Sequence, residues 1–348
     1  MKQTIILALF IHLIFITSCN SQSSTATAVV NAKTSKSEKI KGLSIVARPD
    51  SFRYNPMIDV KSSNANWITV IPYGFTRKND ATVQYNKKWQ WWGEKPIGVR
   101  TTIQLAKEQG LKVMLKPQIW MMSGWVGHMD FDNEKDWKIW ETSYEKFIMQ
   151  MVDIANEEGV ELLCVGTEFE IAAVKRPQYW KGLIKKVRAK YDGKLTYAAN
   201  WDKFEKITFW EDLDYIGIDA YFPLVNEKTP SIDALKAAWK MPLSKIEKLY
   251  NQTKVPILFT EFGYMSVDGS AYNTWELEKK IQSLPINEMA QVNSLEALFE
   301  TFWEKDWWAG GFLWKWYPDI KGKEKEYARY YTPQGKAAEK CIEKWYGK

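Results

Sequence analysis

The chain is poor in the residues on which much enzyme chemistry depends. Its 348 residues hold only two histidines and three cysteines. His12 sits in an N-terminal hydrophobic run, so a Ser-His-Asp triad could be assembled only around His128, and a clustered His/Cys zinc site has almost nothing to be made from. Cys164 falls in a strand-like stretch and Cys341 in a helix-like one, which is no disulfide framework. Neither common glycine-rich phosphate loop occurs, removing the usual nucleotide-dependent reactions. An excess of one charge sign is missing too: 48 Lys and Arg against 42 Asp and Glu give +6, well interspersed. Nothing in that balance calls for nucleic acid, and the richest basic run, "KKVRAK" at 185–190, reads as the wet face of a helix. Carboxylates are the abundant catalytic group that remains.

Long hydrophobic runs are scarce as well. The stretch "MKQTIILALFIHLIFITSC" has a lysine at its start, thirteen residues from Ile5 to Thr17 that are mostly apolar, and small residues before Cys19. Thirteen residues are too few to span a bilayer, so residues 1–19 read as a secretory signal. The ending "FITSC" resembles a bacterial lipobox, which implies acylation of Cys19, export, and membrane contact at the cell envelope through that lipid alone. The alternative is an ordinary cleaved signal with an incidental cysteine. Residues 20–38, rich in Ser and Thr, read as a flexible tether. Residues 39–348 then form one catalytic domain.

Within that domain eight apolar runs alternate with amphipathic stretches: 39–47, 67–75, 111–120, 160–169, 194–201, 213–222, 255–264 and 308–317. Near-continuous apolar strands separated by helices mean a parallel sheet covered by helices, and eight such units are the count of a single (β/α)8 TIM barrel. A doubly wound open sheet is the rival. Gly110, Gly159 and Gly193 each fall between a helix and the next strand, where a left-handed residue is wanted. Most strands turn polar or aromatic at their C-terminal ends, the face where such barrels carry their sites.

Two glutamates leave such strands in matched settings, Glu168 in "CVGTEFE" and Glu261 in "LFTEFGY". A carboxylate beside a buried strand is costly unless it is paired. Strands four and seven stand roughly 135° apart around a barrel, so the two side chains converge over its mouth. Period-two alternation puts Leu162, Cys164, Gly166 and Glu168 on one face, and Ile257, Phe259 and Glu261 on another, so both glutamates are expected to point inward. Two carboxyls across a cleft are what glycoside hydrolysis needs, and a spacing of about 5 to 5.5 Å gives retention through a covalent intermediate. Tyr221 is expected to donate its hydroxyl to Glu261 and keep it charged. Walls formed by Trp120 and Trp201, with the Glu261 charge, are expected to keep Glu168 an acid. Glu170, two residues further out, is expected to cap or pair rather than react.

The runs "VGTEFE", "DYIGIDAYFPL", "PILFTEFGY" and "GGFLWKWYPD" resemble glycoside hydrolase family 113, within the large clan of retaining barrel glycosidases. The resemblance covers about residues 40–320. It implies β-1,4-mannan hydrolysis without metal or other cofactor, with Glu168 as acid/base and Glu261 as nucleophile. The clan's usual Asn before the acid/base is Thr167 here, so contact with the sugar 2-hydroxyl is open to Asn200. A β-glucanase or other β-hexosidase on the same machinery, and a surface glycan-binding barrel without chemistry, are the alternatives.

Tryptophan, at 19 residues, is plentiful. Most serve the core, but Trp120, Trp125, Trp201, Trp314 and Trp316 fall at strand ends or in loops on the active face, where apolar sugar faces stack on indoles. Trp314 or Trp316 answers to the clan's strand-eight tryptophan. Trp89, Trp91 and Trp92 divide between cleft wall and packing. His128 lies in a loop on the active face and is a candidate ligand contact. Asp219 precedes Tyr221 by one inward step and either orients it or binds a hydroxyl. Arg48 and Asp50, after strand one, are weaker candidates for sugar binding.

Overall fold

The computed structural model describes residues 38–77, 80–122 and 124–348. The signal, the Cys19 lipidation site and nearly all of the tether lie outside them. Eight parallel strands close into a barrel: β1 (Ile40–Ile45), β2 (Trp67–Val70), β3 (Lys112–Leu115), β4 (Leu162–Thr167), β5 (Lys194–Asn200), β6 (Tyr215–Asp219), β7 (Ile257–Phe262) and β8 (Trp308–Trp316). Each pairs with its sequence neighbours, and β8 pairs back onto β1. Val, Ile, Leu and Phe on the outward faces pack under helices such as Glu134–Glu157, Pro177–Arg188 and Ile232–Thr253. Six inward residues, Ile40, Trp67, Met114, Leu162, Leu258 and Phe312, fill the N-terminal part of the lumen. Above them it turns polar, with Thr69, Lys116, Thr196, Asp219 and Thr260 all buried.

The structure departs from the sequence reading in four places. Runs 67–75 and 111–120 are not single strands. Each breaks at a proline, Pro72 and Pro117, which cannot donate to the ladder. The residues beyond, Tyr73–Arg77 and Gln118–Met121, leave the barrel and join Asp80–Gln84 in a separate three-stranded sheet. Between β5 and β6 the chain makes only two 3-10 turns, Phe204–Lys206 and Trp210–Asp212, where a helix was expected. Gly110 and Gly159 have positive φ, at 66° and 61°, but Gly193 does not. A Cβ on Gly193 would fall 2.2 Å from the Tyr191 hydroxyl, so close approach rather than handedness calls for glycine there.

The fourth departure concerns which side chains face the lumen. In β4 the alternation holds through Cys164, then the pairing with β5 shifts between Cys164 and Thr167. Gly166 consequently faces the helices, where a Cβ would meet the Trp180 ring at 2.6 Å. In β7 it is Leu258 and Thr260 that face inward, whereas Ile257 and Phe259 belong to the outer core. The pairing of β7 with β6 shifts between Phe259 and Glu261, and that irregularity turns Glu261 into the lumen. Both glutamates reach the mouth, but through irregularities rather than by strict alternation.

Candidate active site

Glu168 follows directly on β4 with φ 55°, a left-handed conformation uncommon for a residue with a side chain. Its neighbours hold it there. Its amide donates to the Ala198 carbonyl on β5 at 2.8 Å, and the Glu170 amide donates to its carbonyl at 2.8 Å. Backbone outliers of this kind concentrate at functional sites, where surrounding contacts over-determine them. The partly buried carboxyl accepts a hydrogen bond from Trp125 Nε1 at 2.9 Å, and no lysine or arginine pairs with it among the described residues. Burial, then the charge of Glu261, raise its pKa to about 7 against the opposing effects of Trp125 and Lys116. Such a group is an acid that can both give and take a proton near neutrality.

Glu261 is held in the opposite way. Lys116 Nζ bonds its Oε1, Gln118 Nε2 donates to the same oxygen at 2.9 Å, and the Tyr221 hydroxyl donates to Oε2 at 2.8 Å. Burial and the Glu261 charge raise the Tyr221 pKa well above that of a free phenol, so the hydroxyl keeps its proton to donate. Three donors, one of them a cation, thus converge on this one carboxyl.

Lys116 is the residue that sequence reasoning missed. It is fully buried directly after β3, between Leu115 and Pro117. Its ammonium also bonds both Asp219 oxygens, at 3.2 and 3.3 Å. Burial alone would lower its pKa, but Asp219 and Glu261 more than reverse this, so it stays charged. Asp219 in turn accepts from Thr260 Oγ1 at 2.8 Å, and burial followed by the Glu261 charge raises its pKa well above the usual range. A signal for Lys116 was present: Val113 and Leu115 alternate with Met114 and Lys116, placing a lysine inside the barrel. Gln118, two residues on, has the same parity.

The remaining candidates divide. Thr167 turns away from the mouth and donates to the Pro117 carbonyl at 3.3 Å. Asn200 ends β5 in register with Asp219 and donates to Asp202 at 2.9 Å. Trp201 stacks on Trp275 with centroids 5.7 Å apart. Trp120 lies on the outer sheet, not at the end of a barrel strand, with its ring edge-on to Tyr73 at 6.3 Å. Trp314 is half-buried beside Tyr221, both packed on Met265, Val267 and Tyr331. Trp316 is 2% exposed and packs within the outer core. His128 is exposed, its ring edge-on to Trp125 at 5.1 Å. Glu170 opens the short helix Glu170–Lys175 and pairs with Lys203. Arg48 pairs with Asp319, and Asp50 is exposed.

A family model for glycoside hydrolase family 113 matches residues 50–336. The chain belongs to that family. It is therefore a glycoside hydrolase, and solved structures agree. A family 113 β-mannanase, AaManA from Alicyclobacillus acidocaldarius in complex with ManMIm, is 25% identical over 89% of this chain and 97% of its own, with a TM-score of 0.78. A family 113 β-1,4-mannanase is 26% identical over 89% and 99%, at 0.75. A β-glucuronidase from Ruminococcus gnavus is 16% identical over 88% of this chain and 50% of its own, at 0.59, and shares the fold. No curated protein matches the chain.

Neither Glu168 nor Glu261 lines the cleft that carries the exposed indoles. That cleft, of about 450 Å³, opens between the C-terminal ends of β1 and β8 and the outer sheet. Trp89, Trp91, Trp120, Trp314 and Tyr317 line it, with Lys315 among them. Trp89 and Trp120 are 58% and 57% exposed, and Phe75 supports Trp89 edge-on at 4.5 Å. Exposed indoles braced by a rigid sheet are suited to the apolar faces of pyranose rings. The prolines that cut the two strands short are what lift Trp120 out to this wall.

Proposed function

We propose that the protein is a retaining endo-β-1,4-mannanase in which Glu168 is the acid/base and Glu261 the nucleophile. One observation carries this: two glutamates on β4 and β7 lie in opposed environments, one with a raised pKa and no cation bonded to it, the other held by Lys116, Gln118 and Tyr221. In the first step the Glu261 carboxylate attacks the anomeric carbon, the glycosidic C–O bond breaks, and the Glu168 proton passes to the leaving oxygen. Forming the ester removes the Glu261 charge, one of the causes that raise the Glu168 pKa, so Glu168 is left a carboxylate poised to accept a proton. In the second step water attacks the anomeric carbon, gives its proton to Glu168, and releases Glu261. Lys116 keeps Asp219 as its partner throughout, so the buried ammonium is never left without a counter-charge.

The mannan assignment rests on the family and on the solved β-mannanases it resembles. The test is incubation with manno-, glucomanno- and cello-oligosaccharides, following product length and anomer by NMR. Internal cleavage of manno-oligosaccharides with β-anomeric product is expected. First-formed α-product, or full activity in Glu261→Ala, would overturn the mechanism, and turnover of cello-oligosaccharides alone would overturn the substrate. The leader sequence further supports export and lipid attachment at Cys19. Labelling with a radioactive fatty acid, present in the native chain and lost in Cys19→Ala, is the expected result.

A further inference from the structure

We infer that Lys315 is the specificity-determining contact for the second sugar on the glycone side, donating a hydrogen bond to an oxygen of that β-linked pyranose. The inference rests on the mannanase reading for the identity of the sugar, but its geometry does not. If Glu168 protonates the leaving oxygen, the leaving portion of the chain lies on the β4 side of the mouth. In the order of strands around the barrel, β8 is opposite β4, four strands away in either direction. The cleft beside β8 therefore receives the glycone. Trp314 shares the Met265, Val267 and Tyr331 cluster with Tyr221, the residue that grips Glu261, and so stands next to the reacting sugar. Lys315 is the next residue along and lines the cleft that continues outward.

Lys315 is placed for a ligand that the protein itself does not replace. It is half-buried, yet no described residue gives it a hydrogen bond or a salt bridge. Its ammonium lies over the rings of Trp314 and Tyr317, at 5.1 and 5.6 Å from their centroids. These contacts fix its position without satisfying its donors. Among the described residues the two buried lysines differ: Lys116 bonds Asp219 and Glu261, and Lys336 bonds Ser266 Oγ and the Tyr330 carbonyl, each at 2.7 Å. Burial lowers the Lys315 pKa, opposed by the more distant charges of Glu278 and Glu261. A desolvated donor with no internal acceptor gains most from a ligand oxygen delivered to it, and discriminates against ligands that bring none.

The experiment compares dinitrophenyl β-mannoside, which carries one glycone sugar, with dinitrophenyl β-mannobioside, which carries two. The activated leaving group keeps the shorter substrate measurable. In Lys315→Met, kcat/KM on the bioside is expected to fall roughly 10- to 100-fold, the range for a hydrogen bond to a charged group, while the mannoside stays within about twofold. Lys315→Arg is expected to recover part of the bioside activity. Equal losses on both substrates, or no loss on either, would overturn the inference, and retained mannoside turnover shows that the variant is folded. If wild type instead cleaves the corresponding glucoside pair and not the mannosides, the mannan reading alone fails, and the same one-sugar against two-sugar comparison decides the role of Lys315.

Discussion

Replacing Lys116 with methionine tests the electrostatic logic of the whole site. The ammonium is fully buried and its acceptors are Glu261 and Asp219. Removing one partner of a buried ion pair costs about 3–5 kcal/mol, because the charges left behind lose their compensation. At roughly 2–4 °C per kcal/mol for chains of this class, Tm should fall by about 6 to 20 °C. The two carboxyls then keep only neutral donors, Gln118 and Tyr221 on Glu261 and Thr260 on Asp219. Asp219, whose pKa is already well above normal through burial and the Glu261 charge, is the one expected to take up a proton. Glu261 has lost the cation bonded to its Oε1. kcat/KM should therefore fall roughly 10- to 100-fold, the range for a lost hydrogen bond between charged groups, while the basic limb moves up only slightly, since Lys116 is a minor influence on Glu168. In Lys116→Met/Asp219→Asn both members of the pair are neutral, and part of the lost Tm should return. The assays are thermal denaturation and a pH–rate series on a manno-oligosaccharide. A kcat/KM within about twofold of wild type, together with an unchanged Tm, would refute this account of Lys116.

Further outcomes follow from the same contacts. Trp125→Phe removes a hydrogen bond that lowers the Glu168 pKa, so the basic limb of kcat/KM should rise by roughly one pH unit, read from the pH–rate profile. Glu168→Gln should lose activity on substrates with poor leaving groups and also alter stability. Because the folded pKa of Glu168 is raised to about 7 from an ordinary 4.5, its stabilising contribution is complete below about pH 4.5 and lost by about pH 7. The glutamine variant should accordingly gain stability over wild type at pH 8 but not at pH 4, by up to about 3 kcal/mol, measured by denaturant titration at both pH values. Trp89→Ala removes an exposed ring from the cleft, and should raise KM for long manno-oligosaccharides about 3- to 10-fold while leaving Tm unchanged. Gly166→Ala should cost about 1–3 kcal/mol in chemical denaturation, since the new methyl meets Trp180 at 2.6 Å and Tyr197 at 2.8 Å.

The parts of this fold that the sequence displays are those set by local composition. Eight apolar runs, their spacing, and a glutamate at the exit of the fourth and seventh follow from burial on both faces of a parallel sheet, and they survive in the structure. Pro72 and Pro117 were equally visible. Each marks the residue at which a ladder must lose a donor, and reading the runs through them concealed the outer sheet that carries Trp120. What local pattern cannot display is a shift in pairing register, because that depends on the neighbouring strand. Strict alternation from Phe259 would have put Glu261 on the outward side, where Phe259 packs against Phe302 at 4.9 Å and Trp308 at 5.7 Å. An ionised carboxylate there would lie in a layer of packed aromatic rings. The irregularity after Phe259 lets one short strand do two incompatible things: keep an aromatic outward against the helices, and two residues later turn a charge inward onto Lys116, Gln118 and Tyr221. On β4 the same solution recurs, with Gly166 admitting Trp180 on the outside just before Glu168 swings in through a left-handed turn. The placement of the two glutamates is thus a property of strand pairs, and only their presence is a property of each strand alone.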